Sequence, residues 1–229
     1  MVADYAAAIL SAGSTTLLVA VLSLLVATFL GLTAAFAKLS ASAGLRAVAG
    51  IYTFVVRGIP DLVIMLLVFY SLPALLNQWI EMLGWDFRVE FSPTAAGIAT
   101  LGVIFGAYMT ETFKTALQNI PRGQIEAAIA YGLTRRRMFT HIILPQLVRL
   151  ALPGFTNNWL VLAKGTALVS LIGLQDVMFR AKGAAEATAM PFTFYLIAAG
   201  FYLAVTLVSM LLLFLVAHRF DVGTRKVLS

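Results

Sequence analysis

The chain has 229 residues, 61% of them hydrophobic and 11% charged, with a mean hydropathy of +0.95. A soluble domain carries roughly 25% charge, so this composition is that of an integral membrane protein. The absence of cysteine excludes a disulfide framework, a thiolate nucleophile and a Cys-ligated metal, and the net charge of +6 comes without the basic stripe and interleaved aromatics of a nucleic-acid binder.

Charge-free stretches mark the spans, because about twenty apolar residues cross the hydrocarbon and an ionised side chain at its centre is costly. Nothing is charged between Asp4 and Lys38, which predicts a first span over about 13 to 37. A second is expected over about 50 to 80, with Arg57 and Asp61 near its start, and a third over about 94 to 114, ending near Glu111 and Lys114. A fourth, less regular span runs from Leu150 to about Leu174, interrupted by Lys164 and Gly165, and a fifth lies between Glu186 and His218. The expected fold class is therefore all-α: a polytopic membrane protein with five transmembrane helices. The "AAFA" at Ala34 to Ala37 has a signal-peptidase pattern, but the N-terminus lacks a positive charge and the apolar stretch exceeds an h-region of roughly 7 to 15 residues. Span one is expected to stay.

Five spans put the termini on opposite sides, and the Lys/Arg bias decides which is which. With the N-terminus outside, the inner segments hold Lys38, Arg46 and Arg57, then Lys114, Arg122, Arg135, Arg136, Arg137 and Arg149, then Arg219, Arg225 and Lys226, which is twelve of the 16 positive residues. Only Arg88, Lys164, Arg180 and Lys182 fall outside. The expected topology is N-terminus out and C-terminus in.

The largest inner loop, about 120 to 146, contains "EAAIAYGLTRRRMFTHIILPQ". From Gln124 to Tyr131 the residues are good helix formers, Gly132 suits a helix end, and Thr134 can cap a second short helix carrying Arg135 to Arg137. Pro145 lacks an N–H and is expected to fix where the loop gives way to span four. Without further information this is equally an amphipathic loop lying on anionic lipid.

The loop carries more than amphipathicity. Glu126, Ala127, Ala128, Gly132, Ile142, Leu144 and Pro145 form E-A-A-x3-G-x9-I-x-L-P without a miss. This resembles the EAA loop of the membrane subunits of bacterial ABC importers. "RGIPDLVIMLLVFY" at Arg57 to Tyr70, "GAYMTETFKTALQNIPRGQIEAA" at Gly106 to Ala128 and "LPGFTNNWLVLAKGTALVSLIGLQDV" at Leu152 to Val177 are similar to the polar amino-acid permease subfamily, nearest its histidine, lysine, arginine and ornithine importers.

The resemblance implies a type I ABC importer permease fold in a single transmembrane domain spanning 1–229, in the bacterial inner membrane. It implies no cofactor bound directly, ATP and Mg being held by a partner ATPase. The implied partners are two cytoplasmic ABC ATPase subunits, a second permease subunit that is a paralogue or a second copy, an extracytoplasmic substrate-binding protein and the lipid bilayer, with no nucleic acid. It makes the helix around Glu126 to Leu133 the coupling helix, and the mechanism alternating access driven by the ATPase. No G-x4-G-K-[ST] occurs in the chain, and "AKGTAL" at Ala163 to Leu168 is not glycine-rich enough to cradle phosphate.

Ionisable residues within or beside spans are substrate-pathway candidates, here Asp61, Glu111, Lys164 and Asp176. Each has a plainer reading: Asp61 pairs with Arg57 one turn away, Glu111 pairs with Lys114 at i,i+3, and Asp176 is solvated at the outer surface. Lys164 is expected to face a cavity or the partner subunit. Gln175 stands where relatives, by resemblance, often carry Glu, which weakens an acidic pocket. Pro60, Pro73, Pro153 and Gly165 mark irregular helix, and Gly102 to Gly106 form a G-x3-G able to pack helices closely. His141 and His218 sit at inner membrane boundaries far apart, a poor metal or catalytic pair. The competing functional class is a self-sufficient secondary transporter or channel for small polar solutes. Such proteins usually show an internal repeat over more spans. An intramembrane enzyme fits worse, since neither H-E-x-x-H nor G-x-S-x-G is present.

Overall fold

The computed structural model describes residues 2–220, and every regular element among them is helical. Arg225 and Lys226, counted in the charge bias, lie outside the described residues, as do the details of the Arg219 side chain. Among the described residues, five helical stretches are long and apolar enough to cross a membrane: Val2–Lys38, Asp61–Met82, Pro93–Gln118, Arg135–Ile172 and Pro191–His218. The number matches the expectation; several boundaries do not.

The first stretch is longer than expected. Helix α1 (Val2–Ser11) passes into α2 (Gly13–Lys38) through Ala12, which keeps helical angles and accepts a hydrogen bond from the Thr16 amide. The alanine-rich start contains no residue that breaks a helix. The second stretch begins later than expected. Helix α3 (Ala43–Gly58) is separate, because Pro60 holds Ile59 in an extended conformation, and the spanning helix starts only at Asp61. It consists of α4 (Asp61–Leu66), a π-turn (Leu67–Ser71) and α5 (Leu72–Met82).

The third stretch, α6 (Pro93–Gln118), starts with the capping of the Ala95 amide by Ser92 Oγ at 3.2 Å and with proline at its first turn. Its 26 residues extend about 39 Å at the usual helical rise, so it crosses the core fully. The loop after it holds α7 (Arg122–Ala130). Span four starts before Pro145, contrary to expectation. It runs as α8 (Arg135–Met138), a second π-turn (Phe139–Ile143), α9 (Leu144–Gly165) and a final 3-10 stretch (Thr166–Ile172). The wider turn admits the proline: the Leu144 amide bonds the Phe139 carbonyl five residues back, opening room for a ring that would clash in a regular helix. A short α10 (Val177–Thr188) precedes α11 (Pro191–Phe220), so Glu186 belongs to α10 and span five begins at Pro191.

Two cores result. The larger joins α2, α4, α6, α9 and the 3-10 stretch around Leu101, Ile104, Phe105, Met109 and Leu162. Its tightest seam is α2 against α6, built on small residues that let backbones approach. A β-carbon on Gly102 would stand 2.4 Å from Val26 Cγ1, one on Gly31 2.5 Å from Met109 Cβ, and one on Gly106 3.0 Å from Leu30 Cβ of α2 and 2.7 Å from Tyr52 Oη of α3. The G-x3-G thus serves packing within the chain. The smaller core gathers Ile9, Val177, Ala181, Phe194 and Ala198 from α1, α10 and α11. Large apolar side chains such as Phe54, Leu203 and Phe214 point outward, which is unfavourable in water and natural against lipid.

Candidate functional site: the helix in the loop before span four

α7 is held rigidly at both ends. Pro121 precedes its first turn in an extended conformation. At the other end the Gly132 amide bonds the Ile129 carbonyl at 2.9 Å and the Leu133 amide bonds the Ala128 carbonyl at 3.0 Å, the double closure of a Schellman motif. That closure requires the φ of +71° found at Gly132. A β-carbon on Gly132 would touch nothing within 4 Å, so glycine is needed here for its backbone angle and not, within this chain, for close approach. Thr134 Oγ1 then accepts from the Arg137 amide at 3.4 Å and starts α8. The helix, bend and helix expected from the sequence are all present.

Of the motif residues, Ala128 is buried against the body, Ile142 is half-buried, and Glu126, Ala127, Gly132, Leu144 and Pro145 are exposed. Two residues outside the motif stand out: Ile129 is 63% and Tyr131 86% exposed, although both are large and apolar. α7 therefore presents an unpaired apolar tip beside an exposed carboxylate, on a loop rich in arginine. Spacing alone does not reveal that tip; which side of α7 meets the body is set by tertiary packing.

The ionisable candidates are dispersed. Glu111 pairs with Lys38 as well as with Lys114, the latter at 3.6 Å. Asp61 is the first residue of α4 and half-buried, with no ion pair to Arg57. The helix break at Pro60 removes the one-turn spacing, and the Arg57 guanidinium instead lies over the Tyr108 ring, 5.4 Å from its centroid. Lys164 is exposed in the last turn of α9.

Asp176 is only 1% exposed, unlike a solvated surface residue. Its Oδ1 accepts from the Phe179 amide at 2.8 Å and caps α10, while Oδ2 and the Tyr202 hydroxyl are buried without a hydrogen-bond partner among the described residues. Burial pushes the Asp176 carboxyl up to about 6. Gln175 Oε1 accepts from Arg180 at 2.6 Å. His141 Nδ1 lies 3.1 Å from the Arg137 carbonyl, and His218 stacks on Phe214.

Five membrane-crossing stretches with a short helix set in the loop before the fourth define a polytopic membrane protein that exposes an apolar-tipped helix on one of its loops. Residues 27–222 match the family of binding-protein-dependent transport system inner membrane components, and the chain belongs to that family. It is 43% identical over 226 residues to the histidine/lysine/arginine/ornithine transport system permease protein HisQ of Salmonella typhimurium, covering 99% of both chains. It is 41% identical over 209 residues to the arginine ABC transporter permease protein ArtQ of Haemophilus influenzae, covering 91% of each. Among solved structures, an amino acid ABC transporter crystallised with histidines matches with a TM-score of 0.79 and 29% identity, over 95% of this chain and 96% of that one. The chain is thus a transport permease subunit of the inner membrane, and ATP hydrolysis belongs to a separate subunit.

Proposed function

We propose that the chain is one of two permease subunits in an importer of basic amino acids, powered by two cytoplasmic ATPases and loaded by an extracytoplasmic binding protein. The observation that carries this reading is α7: a short helix closed at Gly132, with Ile129 and Tyr131 exposed at its tip. Apolar side chains presented to water on a fixed loop mark a docking surface. The relatives named for histidine, lysine, arginine and ornithine, and for arginine, support the substrate class.

Closure of the ATPases on ATP displaces α7, the spans exchange inward-open for outward-open access, and the binding protein delivers its ligand to the opened cavity. Glu126, Ala127, Ala128, Gly132, Ile142, Leu144 and Pro145 build the docking loop. Asp61, Glu111 and Lys164 remain pathway candidates; the burial and capping contact of Asp176 support a structural role for it. The inner position of the loop is supported by the arginine-rich segment Arg135 to Arg137. The test uses the cysteine-free background: Ile129→Cys, carrying a short photo-crosslinker, should capture the ATPase in membranes, whereas the same probe at Leu203 on α11 should not. Equal capture at both positions, or none at Ile129, would remove α7 as the docking element.

A further inference from the structure

The inner-loop helix and span four are joined by a side chain as well as by the loop between them. Gln146 Nε2 donates to Gln124 Oε1 at 2.7 Å, in the first half of α7, and to the Ile142 carbonyl at 2.8 Å, inside the second π-turn. One amide group therefore touches both α7 and the irregular turn of the helix that follows.

That turn is the least regular part of span four. The Leu144 amide bonds five residues back, and Pro145 brings no N–H for the His141 carbonyl four residues before it. Turns of this kind are where helices bend. Beside it lies an apolar cavity of about 230 Å³ lined by Leu144, Leu147 and Val148 of α9, Thr28 and Leu32 of α2 and Phe113 of α6. The helix end has a soft turn within it and free space beside it. The other route from α7 to span four is the backbone through Gly132, a single residue closing the bend.

We infer that Gln146 is a positioning residue for energy coupling, its hydrogen bonds to Gln124 and Ile142 carrying displacement of α7 into the π-turn and thereby into span four. This rests on the reading of α7 as the docking helix. A purely structural contact would affect folding alone; a transmitting one changes how much substrate moves per ATP.

The experiment is the ratio of uptake to ATP hydrolysis in proteoliposomes of the complete transporter with saturating binding protein and arginine as the probe. Gln146→Leu removes the donor and Gln124→Leu the acceptor. Each should lower the ratio roughly two- to tenfold, the range of one neutral hydrogen bond. The double variant should lose no more than Gln146→Leu alone, which already removes both bonds. Gln124→Glu with Gln146→Lys rebuilds an acceptor facing a donor and should restore the ratio, which a variant that merely misfolds does not do. ATPase co-purification is measured alongside, with Ile129→Asp as the docking control. An unchanged ratio in Gln146→Leu, with association still sensitive to Ile129→Asp, overturns the linking role alone. Association that ignores Ile129→Asp overturns the docking reading and the link with it.

Discussion

Pro73 and Pro145 stand in the same place relative to a π-turn, each the second residue after a five-residue segment, Leu67–Ser71 or Phe139–Ile143. In both cases the residue just before the proline sends its amide five positions back, Leu72 to Leu67 and Leu144 to Phe139. A proline within a regular helix costs about 3 kcal/mol relative to alanine. The widened turn offsets much of that by moving the facing carbonyl away from the ring.

Pro145→Ala should therefore let the second turn tighten. We expect amide exchange across 139–146 to slow and thermal stability to rise by well under the roughly 3 kcal/mol of an unrelieved proline, while uptake falls because the turn stiffens. Hydrogen exchange followed by mass spectrometry reads the first effect, and unchanged protection would show that the proline does not maintain the π-turn.

The α2–α6 seam makes a second prediction. Gly102→Ala puts a methyl 2.4 Å from Val26 Cγ1, and a β-branched neighbour on a helix has little freedom to move away. The cost should be about 1 to 3 kcal/mol of stability. Gly50→Ala, inside α3 with nothing within 4 Å of the new carbon, should instead be neutral or stabilising by about 0.5 to 1 kcal/mol. Thermal denaturation in detergent compares the two; equal effects would mean the close approach is not what fixes Gly102.

Gly102 and Gly106 are legible in the sequence as a G-x3-G able to pack helices closely, although the helix they meet is not. Apolar runs between charges revealed five spans, because membrane cost acts residue by residue, and Gly132 and Thr134 were readable because helix ends are closed by local chemistry. The start of span two at Asp61 is not legible in hydropathy, which is blind to the backbone restriction that Pro60 places on Ile59. Pro145 looked like a boundary because a π-turn leaves no mark in composition. Glu111 was matched to Lys114, its neighbour at i,i+3, but Lys38 comes from 73 residues away across the α2–α6 seam. Asp176 reads in the sequence as a pathway candidate with surface solvation as the plainer alternative, and its burial is not legible there because it depends on other elements, among them α2, whose Thr16 Oγ1 accepts from the adjacent Val177 amide.

Asp176 carries the third prediction. Burial raises its carboxyl from 3.8 to about 6, so from pH 3.8 to about 6 the folded state binds more protons than the unfolded one. Stability contributed by this group is thus full below that window and falls as pH rises through it. Asp176→Asn keeps an acceptor for the Phe179 amide and removes the titration, so the variant's stability should be flatter over the same range. Uptake of arginine and glutamine should change alike. A loss confined to arginine would place Asp176 at the ligand.

Topology is checked by two single cysteines in the cysteine-free chain, at exposed positions on opposite sides of the expected membrane. An impermeant thiol reagent on spheroplasts should label Asp86→Cys and spare Arg136→Cys until the membrane is permeabilised. Labelling of Arg136→Cys alone in sealed cells would invert the orientation.

Uptake of radiolabelled arginine into proteoliposomes tests the central claim most directly, using this permease with its partner permease and ATPase, with binding protein outside the membrane and ATP inside. The account predicts accumulation that requires both ATP and the binding protein, is competed by lysine and histidine, and is abolished by Ile129→Asp together with loss of the ATPase from the purified complex. Arginine uptake by the permease without any ATPase, at the same rate with or without ATP, would contradict it and identify a self-sufficient transporter or channel.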